Sequence, residues 1–243
     1  TVDRTPAGSY NASQYVTGQT CTFSIGGITL GTGTGAALMY PVSLVPGAQP
    51  GVDNDAVSDI ARLLISLDDD GNPDNGIVIT PAVRSALAGA TLSAGFGTAG
   101  FAAAAQALVS QAIAGRALVD RATADAHLDL SLVNLFSGGY QCQYFADVNG
   151  VKTQLGNVAV SISEGVILGS GAPIGGGGTF EVNGSVGPNG QAVLDAATGT
   201  TSTGATFQGS FTTDGSAAGT RGEGTWSDPD IAATGTTWAC LHT

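Results

Sequence analysis

The chain is poor in charged residues, and in basic residues above all. Only 11% of its 243 residues are charged, and 19 acidic against 7 basic residues give a formal net charge of −12. A typical domain is about 25% charged, so this chain depends on Gly, Ser, Thr and Asn for its polar surface. With one Lys, Lys152, and six Arg, it has no basic surface to neutralise phosphates. These counts argue against binding to nucleic acids and to anionic membranes.

Long apolar runs, histidines and aromatic residues are also scarce. No run of about 18 apolar residues occurs, so we predict no transmembrane helix. His127 and His242 are the only two histidines, which leaves little material for a catalytic triad or a His-rich metal site. We therefore predict no catalytic residue and no organic cofactor. A pair of facing carboxylates, as in a hydrolase of extracellular polymers, stays open as an alternative because the chain has 19 acidic residues.

The three cysteines allow three single bridges, and their positions favour one. Cys142 opens the β-rich C-terminal segment and Cys240 closes it, so a Cys142–Cys240 disulfide would close a loop of about 100 residues, worth about 4 kcal/mol. Cys21 would then remain an odd thiol beside Phe23 and Ile25, and three buried thiols are the alternative. The chain begins with Thr1, which fits an exported protein whose signal has been removed. Disulfides persist in such compartments.

The N-terminal half is predicted to be mixed, with a short β-hairpin. Residues 1–19 are polar and lack a sustained period, so we predict an extended arm there. Polar and apolar residues alternate over Thr20–Ile25, Gly26-Gly27 forms a turn, and Ile28 begins a return strand. Residues 20–135 form the predicted mixed domain, with the hairpin at its start.

Helical spacing of apolar residues follows the hairpin. Asp53 or Asp55 is the predicted N-cap of a first helix that ends near Leu67. The further predicted helices cover Thr80–Leu87 with Thr80 as N-cap, Phe101–Gly115, and Arg116–Leu135 as a continuation after a break at Gly115.

Beyond Gly139 the pattern changes to that of an all-β domain over residues 136–243. Turn signals recur at short intervals, at Asn149-Gly150, Glu164-Gly165, Gly175 to Gly178, Asn189-Gly190 and Asp214-Gly215. Short alternating runs lie between them, which predicts an antiparallel meander, either a small barrel or a sandwich of about seven or eight strands. The predicted fold class is therefore α+β.

An acidic loop after the first helix is the most specific chemical signal. Asp68, Asp70, Asn72 and Asp74 stand at every second position, and calcium prefers six to eight oxygen ligands of this kind. Ile79 replaces the Glu that completes an EF-hand loop, so a further ligand such as Asp55 or Asp59 is expected. We predict calcium as the cofactor; the alternative is a solvated acidic turn.

Several of these segments resemble one group of proteins. Cys21 to Gly31 (CTFSIGGITLG), Asp59 to Leu64 (DIARLL), Leu67 to Ile77 (LDDDGNPDNGI) and the Ala126-His127-Leu128 triplet are similar to a module of secreted or lipid-anchored bacterial surface proteins. The resemblance covers roughly residues 20–140 and implies a location outside the cell or on the outer surface of a Gram-negative bacterium, with no reaction. Thr1 to Val16 lacks the Gly-rich strand expected before the hairpin, so that strand is expected from elsewhere, including a neighbouring subunit.

Together these observations favour a non-enzymatic structural or adhesive surface protein. Its N-terminal arm would complete the sheet of a neighbouring subunit by strand addition, and a contact of this kind builds filaments when its rotation does not close. Its partners would be further copies of itself or molecules of the surface and matrix. A barrel that encloses a small apolar ligand is the main alternative.

Overall fold

A computed structural model describes residues 18–36, 39–198, 201–214 and 216–243, with only the backbone for residues 201 and 202. Of the predicted arm, Gly18 and Gln19 alone fall within these ranges, and the rest lies outside the described residues. The chain divides into two compact units, and the division falls between Leu128 and Asp129.

The first unit combines a β-hairpin with helices. Strands β1 (Thr20–Ile25) and β2 (Ile28–Thr34) pair in antiparallel fashion around the predicted Gly26-Gly27 turn. A 3₁₀ turn at Pro41–Leu44 follows, and then helices α1 (Asp55–Ser66), α2 (Pro81–Ala86), α3 (Phe101–Ala112) and α4 (Arg121–Val133), the last of which crosses the division between the units.

The start of α1 differs from the prediction. Asn54, rather than Asp53 or Asp55, is the N-cap, because its Oδ1 accepts hydrogen bonds from the N–H groups of Ala56 at 3.0 Å and Val57 at 3.2 Å. Asn ranks with Asp as an N-cap, so composition alone does not separate the three neighbouring positions.

The boundary between α3 and α4 also differs from the predicted near-continuous helix. Helix α3 ends at Ala112 and α4 begins only at Arg121. Asp120 caps α4 by accepting from the Thr123 N–H at 2.9 Å. The Gln106 side chain accepts from the Leu118 N–H at 2.8 Å and donates to the Arg116 carbonyl at 3.1 Å, so side chains replace helical hydrogen bonds in the connection.

The core of the first unit forms where the hairpin, α1, α2 and α3 present their apolar faces. The largest fully buried side chains there are Ile28, Ile60, Leu63, Leu67, Leu87 and Phe101. Burying one such side chain stabilises the fold by about 1.5–3 kcal/mol. The hairpin is tied to this core at its turn, where the Gly27 N–H donates to the Leu87 carbonyl at 2.8 Å.

The second unit contains a closed antiparallel barrel of eight strands, which confirms the α+β prediction and selects the barrel over the sandwich. Its strands are β3 (Gly138–Val148), β4 (Val151–Ser163), β5 (Val166–Pro173), β6 (Phe180–Val186), β7 (Gln191–Thr198), β8 (Thr201–Thr212), β9 (Arg221–Ser227) and β10 (Thr234–His242). Each strand pairs with the next along the chain, and β10 pairs with β3 to close the barrel.

Two of the barrel turns use the backbone conformation that the sequence predicts. Asn149-Gly150 and Glu164-Gly165 each form a two-residue connection with positive φ at both residues, from +50° at Glu164 to +80° at the two glycines. Such mirror-image turns match the twist of paired strands.

Glycines within the strands make room for aromatic rings inside the barrel. A Cβ added at Gly224 would lie 2.6 Å from the indole nitrogen of Trp238, and one at Gly222 would lie 2.7 Å from the Phe211 ring. Gly156 lies in the same way against the Tyr144 ring. Large rings packed over glycines stabilise positions that glycine alone would weaken. This packing explains part of the high glycine content, 38 residues in the chain.

Candidate functional site

The acidic loop begins immediately after α1 and is anchored by a buried carboxylate. Asp68 is fully buried, and its Oδ1 accepts a hydrogen bond from the Val78 N–H at 2.7 Å. The Asp69 N–H donates to the Val78 carbonyl at 3.1 Å and closes the base of the loop. The second oxygen of Asp68, Oδ2, is buried without a hydrogen-bond donor. This side chain therefore holds the loop with one oxygen and leaves the other unsatisfied.

Asp70 organises the exposed part of the loop. Its Oδ2 accepts from the Asn75 amide at 2.7 Å and its Oδ1 accepts from the Asn72 N–H at 2.9 Å. These two hydrogen bonds, together with the Asp68 carboxyl within hydrogen-bonding reach, lower the pKa of Asp70 below its ordinary value. Asp70 is therefore an anion at neutral pH and lies beside the unsatisfied carboxyl of Asp68.

Asn72 and Asp74, the other two predicted ligands, are engaged differently. The Asn72 side chain accepts from the Asp74 N–H at 3.3 Å and caps a short 3₁₀ turn. The Asp74 side chain is 80% exposed, and its Oδ1 lies 3.6 Å from Nδ1 of His127. The loop thus brings Asp68 and Asp70 together but directs Asp74 towards α4. Within the described ranges, no three acidic, His or Cys side chains are arranged to hold a metal ion.

The additional ligand expected from Asp55 or Asp59 is not supplied by either residue, because each is paired with an arginine. Asp59 is buried; its Oδ1 lies 3.1 Å from Arg62 and its Oδ2 accepts from the Gly97 N–H at 2.9 Å. Asp55 pairs with Arg121. Both carboxylates are therefore engaged in ion pairs with arginines.

Arg116 is the contact to the loop that sequence reasoning misses. Its guanidinium donates to the carbonyls of Asp68 at 3.0 Å and Asp69 at 3.1 Å. Gly71, with φ of +74°, lies against the same guanidinium, so a side chain there would collide with it. Arg116 stands 48 residues from Asp68, and no local spacing connects them. The only indication in the sequence is that the chain has few basic residues and many acidic residues with which they can pair.

The favoured cysteine pair lies at the seam where the barrel closes. Cys142 on β3 and Cys240 on β10 stand directly opposite each other in the register and form a disulfide. Both are buried, and Trp238 packs in the same interior. Cys21 on β1 is half-buried and unbridged. The disulfide therefore joins the first and last strands of the barrel.

The interior of the barrel is filled by its own side chains. An apolar cavity of about 20 Å³ remains between the disulfide and the aromatic residues. That volume holds about one water molecule, whereas pockets for small ligands measure about 300–1,000 Å³. This cavity, lined by described residues, is therefore far smaller than a typical pocket for a small ligand.

The outer face of the barrel has a larger and more polar depression. A groove of about 590 Å³ crosses β8, β9 and β10 and is lined by Phe145, Lys152, Gln191, Gln208, Gly209, Ser210, Glu223, Gly224, Thr225, Thr237, Trp238 and Ala239. The Lys152 ammonium lies 5.0 Å from the centre of the Phe145 ring. Six of the twelve lining residues carry amide, hydroxyl or carboxylate groups, so this surface offers both hydrogen-bonding groups and apolar contact.

The outer edge of β1 is the other feature that can make specific contacts. The hairpin sheet has two strands, and β1 pairs with β2 alone among the described residues. Thr20 and Thr22 are exposed, while Ile25 is buried in the core. On the other side of the sheet, Gly31 and Gly33 of β2 lie against the backbone of Leu44 and Ser43. Among the described residues, β2 thus packs against the 41–44 turn, and β1 has no strand partner besides β2.

No family model matches the chain, and a search of curated proteins finds no match either. Among the described residues, no helix is long and apolar enough to cross a membrane.

Proposed function

We propose that this chain is a non-enzymatic structural or adhesive protein of the bacterial cell surface that self-associates by strand addition. In this arrangement, an extended N-terminal segment of one copy pairs with the open edge of β1 in the next. The observation that carries the proposal is this edge, a six-residue strand with a partner on one side only among the described residues.

The composition of β1 makes this edge receptive to another strand. Native proteins protect edge strands with lysine, proline, inward-pointing charges or bulges. Thr20–Ile25 contains no lysine, proline or charged residue, and a single bulge, between Phe23 and Ser24, interrupts its pairing with β2. Backbone N–H and C=O groups along such an edge form hydrogen bonds with an added strand, which is the basis of strand-addition complexes.

The proposed donor is the segment before Gly18, in a second copy. Within each copy, Gly18 and Gln19 still pair with Gly35, with N–O distances of 3.0 and 2.8 Å, so they extend the hairpin and do not cover the outer edge of β1. A six-residue donor strand would use about a third of residues 1–17. A head-to-tail contact of this kind links copies into open chains unless the rotation closes a ring.

The barrel supports a location outside the cytosol. Its disulfide is typical of oxidising compartments, since thiols are kept reduced in the cytosol. The resemblance of residues 20–140 to secreted and lipid-anchored surface proteins points the same way.

Sedimentation velocity against concentration tests the proposal. The full chain should form species larger than a 23.9 kDa monomer, and deletion of residues 1–17 should abolish them. A synthetic peptide of residues 1–17 should then bind the truncated chain. A full chain that stays monomeric at all concentrations would contradict self-association.

A matched pair of substitutions tests whether the edge is the contact. Thr22 and Thr32 are exposed and lie opposite each other in the hairpin, but only Thr22 is on the open edge. Thr22→Lys should weaken assembly because it adds a charge to the docking edge, and Thr32→Lys should leave assembly nearly unchanged. Equal effects of the two substitutions would refute the edge as the site.

A further inference from the structure

The unsatisfied oxygen of Asp68 and its carboxylate neighbour indicate a ligand that the protein alone does not supply. Asp68 is fully buried and its Oδ2 has no hydrogen-bond donor. Leaving a buried polar atom without a partner costs about 1–3 kcal/mol, and more for a charged group. The Asp70 carboxylate lies within hydrogen-bonding reach of Asp68, and two carboxylates this close repel each other unless a proton or a cation lies between them.

The local charge balance favours a cation over a shared proton. The loop carries four carboxylates, at Asp68, Asp69, Asp70 and Asp74, and Arg116 is the cation that reaches its base. The Arg116 guanidinium donates to the carbonyls of Asp68 and Asp69. These hydrogen bonds go to the backbone of the loop and not to the carboxylates of Asp68 and Asp70, which lie within hydrogen-bonding reach of each other.

We infer that the carboxylates of Asp68 and Asp70 together hold one calcium ion, with Asn72 and Asp74 outside the ligand set. Calcium accepts oxygen ligands in flexible geometry, and backbone carbonyls and water complete its coordination where side chains are few. Asn72 and Asp74 do not join the pair, since Asn72 accepts from the Asp74 N–H and Asp74 faces His127. A site with two carboxylates should be weak, with a dissociation constant of about 0.1–1 mM, the range of extracellular calcium modules.

Amide signals in an ¹H–¹⁵N NMR titration with calcium chloride locate the binding. The Val78 and Asn72 N–H groups donate to Asp68 and Asp70, respectively. Both signals should shift and saturate with one dissociation constant in protein freed of metal by chelation. Amide shifts that are scattered near surface carboxylates and do not saturate would indicate nonspecific binding. A Val78 signal that does not move at about 10 mM calcium would mean that a shared proton, and not calcium, satisfies the buried oxygen of Asp68. Either result would overturn the inference.

Four substitutions separate the proposed ligands from their neighbours. Asp68→Asn and Asp70→Asn should each weaken calcium binding by about tenfold or more. Asp68→Asn keeps a side-chain oxygen that can accept the hydrogen bond from the Val78 N–H. Asp70 is exposed, so Asp70→Asn tests calcium binding even if the buried Asp68→Asn substitution disturbs folding. Asp74→Asn, and Asp195→Asn in the barrel, should each change the affinity less than about twofold. A loss for Asp74→Asn as large as that for Asp70→Asn would refute the two-carboxylate site.

This inference does not depend on the proposed self-association. The titration is made on the chain without residues 1–17 if the full chain assembles, and calcium affinity and sedimentation are separate measurements. If the protein binds calcium but stays monomeric, the calcium site is supported and self-association is refuted. If the protein self-associates but does not bind calcium at the loop, self-association is supported and the calcium site is refuted.

Discussion

Removal of the Cys142–Cys240 disulfide should strongly destabilise the barrel. The bond joins residues 98 apart in sequence, and the chain-entropy model gives about 4.7 kcal/mol for a loop of about 100 residues. Unfolding entropy for a unit of this size is about 0.24 kcal/mol per kelvin, from about 2.1 cal/mol/K per residue. The double substitution Cys142→Ala and Cys240→Ala should therefore lower the melting temperature of the barrel by about 20 °C.

The two tryptophans make this measurement specific to the barrel. Trp226 and Trp238 are the only two in the chain, and both are buried in the barrel core. Urea unfolding followed by tryptophan fluorescence thus reports the second unit, with and without the disulfide. Cys21→Ala is the matched control, because Cys21 is unbridged and belongs to the first unit. It should leave the fluorescence transition unchanged.

A small loss of unfolding free energy on removing the disulfide would refute this reasoning. A loss below about 1 kcal/mol on removing the disulfide would mean that the bond does not restrict the unfolded chain as the entropy model requires. Denatured, unreduced Cys21→Ala protein should also show no free thiol. Two free thiols there would refute the pairing itself.

Two further predictions concern the barrel interior and use the same fluorescence transition. Gly224→Ala should destabilise the barrel by about 1–3 kcal/mol, because the added Cβ would collide with the Gln208 carbonyl oxygen and lie 2.6 Å from the Trp238 indole nitrogen. Gly187→Ala, with its nearest atom 3.2 Å away, should change stability by less than about 0.5 kcal/mol. Equal effects would contradict the argument from close packing at Gly224. Burial raises the pKa of Tyr140 to about 12, so the unfolded state, with a tyrosine pKa of about 10, releases its proton first, and stability should fall as the pH rises from about 10 to 12. Tyr140→Phe should reduce this alkaline loss measured by urea midpoints, and an unchanged pH profile would exclude Tyr140 as its source.

The local elements of the fold could be predicted because their signals are local. Alternation over Thr20–Ile25 and the Gly26-Gly27 turn place the hairpin, and pairs such as Asn149-Gly150 mark the barrel turns. Closure of the barrel has no such signal. It depends on pairing between β3 and β10, whose bridged cysteines lie 98 residues apart, and alternating strands fit a sandwich equally well.

The acidic loop shows why spacing alone did not predict the side-chain arrangement. Ligands at every second position suggest that all four side chains turn inward, but Asp and Asn also bond readily to the N–H two residues ahead. Asp70 and Asn72 both do so, and this local hydrogen bonding sends Asp74 outward. The partners from distant segments, Arg116 and His127, depend on the packing of the first unit. No periodicity in the sequence contains that information.

The two units add different contacts to their apolar cores, and this difference makes the proposals separable. The barrel relies on a disulfide and on aromatic rings packed over glycines. The first unit has no disulfide among its described residues and adds buried polar contacts, such as Asp59 with Arg62 and Asp68 with Val78. A reductant should therefore shift the tryptophan transition of the barrel and leave the Val78 amide signal in place. A chelator should move that signal, if calcium is bound at Asp68 and Asp70, without changing the tryptophan transition. A chelator that destabilised the barrel as strongly as the first unit would place the bound ion elsewhere than in the acidic loop.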